Sequence, residues 1–398
     1  MARLKRRLWL GATLGALVLI GVGGWFYHTV YRTSDFSLRH AEAFLFRRMT
    51  VAQLAEHGTY RYFFVTNRRQ ERETGPIEER FGKDREEALK FGSFDTKIQR
   101  SLGLGMLINP TEWFQNEEIN LQEVQKMDEP AFVERLTDRV NASPYQSLLI
   151  VVHGYREAFP SALRKTAFFG HVLDINAPVL LFDWPGNQGG SLGGYRRARE
   201  VAEASGADLA RTLKLIVEQV QPARLWLVAN SMGGQVVVDA FSVLHQDADF
   251  ADSETEIEDV VLTAPDVDHE EFDQRFKREI SDLADHLTVY VSSNDRALVV
   301  SRLVNRAQRR GESTLTPDQL AEASRLVELT DASSDLVTLV DVTPVNRTRN
   351  FHNFSLETPE FFDDLYLRLT NDGAIKSRLL YRVNTSEGAV YWVLTRGR

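Results

Sequence analysis

From residue 147 onward the chain alternates short, continuous apolar runs with longer amphipathic ones, and this rhythm limits its possible folds more than any other feature. The runs are LLIVV (148–152), APVLLF (177–182), RLWLVA (224–229), DVVLT (259–263), LTVYV (287–291) and DLVTLV (335–340). Segments of helical period, such as 193–219 and 232–246, lie between most of them. A strand that is apolar on both faces must be covered on both faces. Strands of this kind alternating with helices predict an α/β chain: a doubly wound, mostly parallel sheet with helices on either side. Such a sheet takes its ligand beyond the carboxyl ends of the strands, so chemistry is to be sought there.

One strand end carries a nucleophile pattern. After 224–229 come Asn230, Ser231, Met232, Gly233 and Gly234, and then a helix rich in valine. A sharp strand-to-helix turn forces the serine into a strained conformation and lifts its Oγ above the sheet. Small residues two places either side are needed because strand and helix approach closely. The chain supplies Ala229 and Gly233, an A-x-S-x-G pattern. The competing reading of Ser231 is an ordinary helix N-cap.

A serine nucleophile needs a base, nearly always histidine. Of nine histidines, His28, His40 and His57 precede the sheet, His171 and His245 fall in predicted helices, and His286 lies at the wrong strand end. His153 ends the run 148–152, His269 follows 259–263, and His352 lies in a loop after the last predicted strand. Only His352 combines the right end of the sheet with the order Ser…Asp…His, which makes it the expected base. Asp295, four residues beyond 287–291, is the expected orienting acid, with Asp266 the alternative. The expected oxyanion hole uses the amides of Met232 and Tyr155, with Gly154 allowing the turn between the latter and His153. His153 is read as a hydrogen-bonder beneath the site. Trp184 and the glycines of 186–194 are candidates for the pocket wall. No H-E-x-x-H or comparable ligand spacing occurs, so neither metal nor organic cofactor is expected.

The N-terminus suggests where such an enzyme would sit. Arg3, Lys5, Arg6 and Arg7 precede an uncharged run at 8–27, LWLGATLGALVLIGVGGWFY, long enough to cross a bilayer and ending in an aromatic belt. This predicts a single transmembrane anchor, with everything after about residue 30 extracytoplasmic, or periplasmic in a Gram-negative cell. The competing reading is a cleaved signal peptide. The expected division is therefore 1–30 basic tip and anchor, 31–58 linker and 59–398 catalytic domain, ending in a β-hairpin at about 378–396. Within that domain, Asn67, Arg68 and Arg69 are expected to stop a first strand at 60–66. The charged residues 69–93 read as a solvated surface excursion, and 101–140 as an apolar run followed by helix. A net charge of −9 argues against a nucleic-acid partner. The absence of cysteine excludes a thiolate nucleophile and disulfides. Arg306, Arg309 and Arg310 read as a solvated helix face, with contact to an anionic group as the alternative. The oligomeric state is not readable.

Several stretches are similar to a bacterial branch of the α/β-hydrolases catalogued as a domain of unknown function. They are FFVTNR (63–68), VVHGY (151–155), LFDWPG (181–186), NSMGG (230–234), TAPDVD (263–268) and YVSSNDRAL (290–298), together with the late His352. The likeness runs from about residue 62 to 369. It implies the α/β-hydrolase fold, a Ser–Asp–His triad and an esterase- or lipase-like activity on a small-molecule or lipid ester. Asn230 departs from the branch, which commonly has histidine there. A peptidase or thioesterase would use the same triad, and a non-catalytic scaffold retaining the fold is the alternative of another class.

Overall fold

The computed structural model describes residues 21, 50–54, 58–98, 119–251, 257–268, 271–292, 337–346, 354–370, 380–384 and 390–395. Among these, eleven strands form one sheet. They are β1 (Thr59–Gln70), β2 (Phe81–Ile98), β3 (Ile119–Met127), β4 (Ser147–Val152), β5 (Val179–Asp183), β6 (Arg224–Asn230), β7 (Ile257–Thr263), β8 (Ala284–Val291), β9 (Val337–Asp341), β10 (Leu380–Asn384) and β11 (Val390–Leu394). Their order is β10-β11-β9-β8-β7-β6-β4-β5-β1-β2-β3. From β1 through β5, β4, β6, β7, β8 and β9 to β11 every neighbouring pair is parallel. The antiparallel pairs lie at the two ends, β1–β2–β3 on one side and β10–β11 on the other.

Five longer helices cover the sheet: α1 (Glu129–Ala142), α2 (Phe159–Leu173), α3 (Leu192–Leu215), α4 (Gly233–His245) and α5 (Pro359–Thr370). Alternate residues of each strand feed two separate cores, as the period of two requires. Leu148, Ile150 and Val152 of β4 pack with α1, α3 and α4, whereas Leu149 and Val151 pack with α2 and α5. Two of the helices begin at side-chain caps. Asp128 accepts from the Ala131 amide at 3.0 Å to cap α1, and Ser191 accepts from Gly194 at 3.1 Å to cap α3. α1 then presents Phe132, Leu136 and Val140, spaced by four, to the core.

The parallel half matches the sequence reading; the N-terminal part corrects it. β1 does not stop at Asn67 but runs to Gln70, and Arg68 is fully buried within it. Residues 81–98 are not a surface excursion but an 18-residue strand paired with β1, its first half charged and largely exposed. A further strand, β3, precedes α1 where only helix was expected. Of the expected linker, Val51 and Ala52 are buried, and the Val51 amide donates to Asn176 Oδ1 at 2.9 Å. Among the described residues no helix is long and apolar enough to cross a membrane. Apart from Gly21, the run 8–27 lies outside those residues, as do 99–118 and Arg306, Arg309 and Arg310.

α3 and α4 cross closely: a Cβ built on Gly206 would lie 2.5 Å from that of Asp239. Burial, reinforced by the nearby Glu271, pushes the Asp239 carboxyl up to about 6, against the pull of Gln235 and Arg275. A raised carboxyl favours the protonated native state, so this group supports the fold below its unfolded value and withdraws support as pH rises through 6. The gap corresponds to at most about 3 kcal/mol. Urea unfolding should show stability declining from about pH 4 to 6 in the wild type, with that slope flattened in Asp239→Asn.

Candidate active site

Ser231 sits at the carboxyl end of β6 with φ +54°, a left-handed conformation that costs a residue with a side chain roughly 1–2 kcal/mol. Met232 rather than Ser231 occupies the N-cap of α4, so the serine's geometry is not that of an N-cap. The neighbours impose this turn. The Ser231 amide donates to the Thr263 carbonyl at 2.9 Å, and its own carbonyl accepts from Asp266 N at 3.1 Å and Gly234 N at 2.9 Å. A Cβ on Gly233 would lie 2.5 Å from the His153 carbonyl oxygen, and one on Gly154 would lie 3.0 Å from Ser231 Cβ. Ala229 is fully buried. Backbone contact thus requires the glycine at 233, and the turn has the strand–serine–helix geometry of a nucleophile elbow.

His153 follows β4, the strand beside β6. Its Nδ1 lies 2.8 Å from the Gly154 carbonyl, which can only accept, so Nδ1 carries a proton. Its Nε2 lies 3.0 Å from Asp183 Oδ1 and 3.2 Å from the Trp184 amide. These two contacts exclude each other, since one needs a donor and the other an acceptor; Nδ1 donates in either case. With both nitrogens committed, the ring is a strut. Trp184 stacks on it at 5.5 Å and 6° and returns its Nε1–H to the His153 carbonyl at 2.8 Å. Trp184 is fully buried, so it supports the loop from within.

Sequence reasoning missed the centre of this frame. Arg68, 0% exposed, donates through Nε to Asp183 Oδ2 at 2.7 Å and through one terminal nitrogen to Oδ1 at 3.0 Å. Its terminal nitrogens also lie within reach of the carbonyls of Glu157 (2.8 Å), Trp184 (2.7 Å) and Gly82 (3.0 Å) and of Asn187 Oδ1 (2.7 Å). Thr66 Oγ1 adds a further bond to Asp183 at 2.5 Å. Burial alone would raise the Asp183 carboxyl; the Arg68 charge and His153 outweigh it and hold it below the ordinary value. The signal that could have found this group is the strand period itself. Thr66 and Arg68 continue the face of Tyr62 and Phe64 beyond the last apolar residue.

Asp266 follows β7 and accepts the Tyr195 hydroxyl at 2.6 Å. Tyr195 packs edge-on against Tyr155, with ring centroids 5.6 Å apart. Asn230 donates to Thr263 Oγ1 and Ser355 Oγ, each at 2.9 Å. The structure therefore brings Ser231, Met232, Gly154, Tyr155, His153 and Asp266 together at one end of β4, β6 and β7. Asp295 and His352 lie outside the described residues. A cavity of about 340 Å³ lined in part by Leu89, Phe91, Arg211 and Lys214 contains none of these site residues.

Removing one partner of a buried pair strands the other. Arg68→Met should therefore lose about 3–5 kcal/mol in urea unfolding at pH 7. The double variant Arg68→Met/Asp183→Asn should recover part of that loss. Because the Asp183 carboxyl is lowered, its contribution exists above the unfolded value and vanishes as pH falls through the folded one. The gap between wild type and Asp183→Asn should accordingly narrow below about pH 3.9.

No curated protein matches the chain in sequence. A crystal structure from Agrobacterium vitis S4, of a protein provisionally called a hydrolase, is 11% identical, covers 68% of this chain and 94% of its own, and superposes with a TM-score of 0.26. That likeness is too distant to bear on the argument. The model of the family described as alpha/beta hydrolase of unknown function (DUF900) matches residues 128–365, more than half of the chain, and the chain belongs to that family.

Proposed function

We propose that the chain is a serine hydrolase that cleaves a carboxylic ester through an acyl-enzyme. The observation that carries this reading is the strained Ser231 elbow, held at φ +54° by backbone contacts on both sides. Such strain clusters at functional sites. In the proposed reaction Ser231 Oγ attacks the ester carbonyl while His352 takes its proton and Asp295 orients the imidazole. His352 then protonates the departing alkoxide, and water, activated by the same histidine, releases the acid.

The amides of Met232 and Tyr155 stabilise the oxyanion in this scheme. The His153 contact supports the second of these. A trans peptide points its C=O and N–H in opposite directions. Holding the Gly154 carbonyl on His153 Nδ1 therefore fixes the direction of the Tyr155 N–H before substrate arrives.

Support for His352 comes from its chain neighbour. Ser355, three residues on, is bonded to Asn230, the residue before the nucleophile. Three residues span at most about 10 Å, so the chain length from Ser355 is compatible with the proposed role. Asp295 is preferred to Asp266 as the acid because the Asp266 carboxylate already accepts the Tyr195 hydroxyl. We further propose that residues 8–27 anchor the enzyme with its catalytic domain on the extracytoplasmic side, where lipid or envelope-derived esters would be its substrates.

Labelling of the purified full chain by a fluorophosphonate tests the nucleophile. It should vanish in Ser231→Ala and fall strongly in His352→Ala and Asp295→Asn, with Asp266→Asn less affected. A well-folded wild type that resists labelling would sink the reading. Steady-state hydrolysis of 4-nitrophenyl butyrate tests the strut. His153→Ala should lower kcat by about 10–100-fold with KM nearly unchanged, the pattern of a lost transition-state contact. His153→Asn, whose amide can replace Nδ1–H, should lose less.

A further inference from the structure

We infer that Tyr155, Tyr195 and Leu192 form the acyl-side wall of the site and select esters with extended apolar acyl groups; this rests on the serine-hydrolase reading above. The argument starts from strand order. β4, β6 and β7 are consecutive neighbours, and Ser231 ends the middle one. Tyr155 belongs to the loop after β4 and Asp266 to the loop after β7. Tyr195, from the first turn of α3, meets Tyr155 ring to ring at 5.6 Å and donates its hydroxyl to Asp266 at 2.6 Å. The two tyrosines therefore bridge the strand ends on either side of the serine.

The bridge is fixed to the reacting centre at both ends. Tyr155 supplies the proposed oxyanion amide, and Asp266 N holds the Ser231 carbonyl at 3.1 Å. Its side of the sheet is also defined. Both rings pack against the core beneath α1, α3 and α4. Asn230 and its partner Ser355 lie on the other side, that of α2 and α5, and the proposed base precedes Ser355 by three residues in the sequence. The base delivers its proton to the leaving alcohol, so the alcohol belongs on the Ser355 side and the acyl group on the tyrosine side.

Chemistry then defines the ligand class. The Tyr155 hydroxyl donates to the Gly189 carbonyl and the Tyr195 hydroxyl to Asp266, so what the pair offers a substrate is chiefly ring carbon. Leu192, three residues before Tyr195 and on the same face of α3, is 61% exposed. It lengthens the apolar strip away from the serine. A short acyl group would leave the strip uncovered, whereas a chain of several methylenes would bury it.

The test is the ratio of kcat/KM for 4-nitrophenyl octanoate to that for 4-nitrophenyl acetate, measured on the full chain. The wild type should prefer octanoate. Tyr195→Ala should lower the ratio by about tenfold and the exposed Leu192→Ser by about threefold, given the value of a few buried methylenes. Tyr195→Phe, which keeps the ring, should retain it. A ratio unchanged within about twofold in both truncations, or a parallel fall for both esters, would overturn the wall. A wild type that labels with fluorophosphonate yet shows no chain-length preference overturns the wall alone. One that neither labels nor hydrolyses either ester overturns the serine-hydrolase reading as well.

Discussion

The end of this sheet that carries Ser231 depends on a buried ion pair. Arg68 and Asp183 are both wholly excluded from water, where an isolated charge would be prohibitively costly. The pair is tolerable because its hydrogen-bonding capacity is used: the guanidinium reaches four acceptors besides Asp183, and the carboxylate takes bonds from Arg68 and Thr66, with the His153 ring 3.0 Å away. Stability is not its main product, since an apolar pair of similar shape can serve as well in such places. What it fixes is direction. A carbonyl or carboxylate bonded to a planar guanidinium cannot drift, so the loops after β4 and β5 are held in one register relative to β1.

That frame explains how a strained serine persists. The cost of φ +54° at Ser231 is met by contacts that leave no alternative path. The His153 carbonyl stands against Gly233, Gly154 stands against the serine, and the loop after β7 is pinned to the Ser231 carbonyl. The sheet also divides the surroundings of the serine. One face carries the polar frame of Arg68, Asp183, His153 and Asn230, and the other carries aromatic rings packed over α3.

The parallel half was legible in the sequence because its strands are apolar on both faces and its helices periodic. Ser231 was legible because strand, serine and small residues follow one another within a few positions. The N-terminal strands were not. The first half of β2 carries Lys83, Asp84, Arg85, Glu86 and Glu87 in succession, which reads as a charged loop unless its partners are known. Arg68 reads as a strand terminator because a charge after an apolar run usually meets water. Its carboxylate lies 115 residues away, and no local pattern announces such a pairing. The bond from Asn230 to Ser355, separated by 125 residues, was hidden for the same reason.

The position of Arg68 also separates two meanings of a domain. The family pattern begins at residue 128, after β1, β2 and β3, yet Asp183 within that pattern is neutralised from β1. A chain cut at the family's edge would keep Ser231, its strained turn and the loop after β4 while leaving a buried carboxylate without its cation and exposing the flank of β5. The unit that recurs in sequence is thus smaller than the unit that can stand in water. Formation of the site during folding must also wait until an N-terminal strand, made long before its partners, docks beside β5.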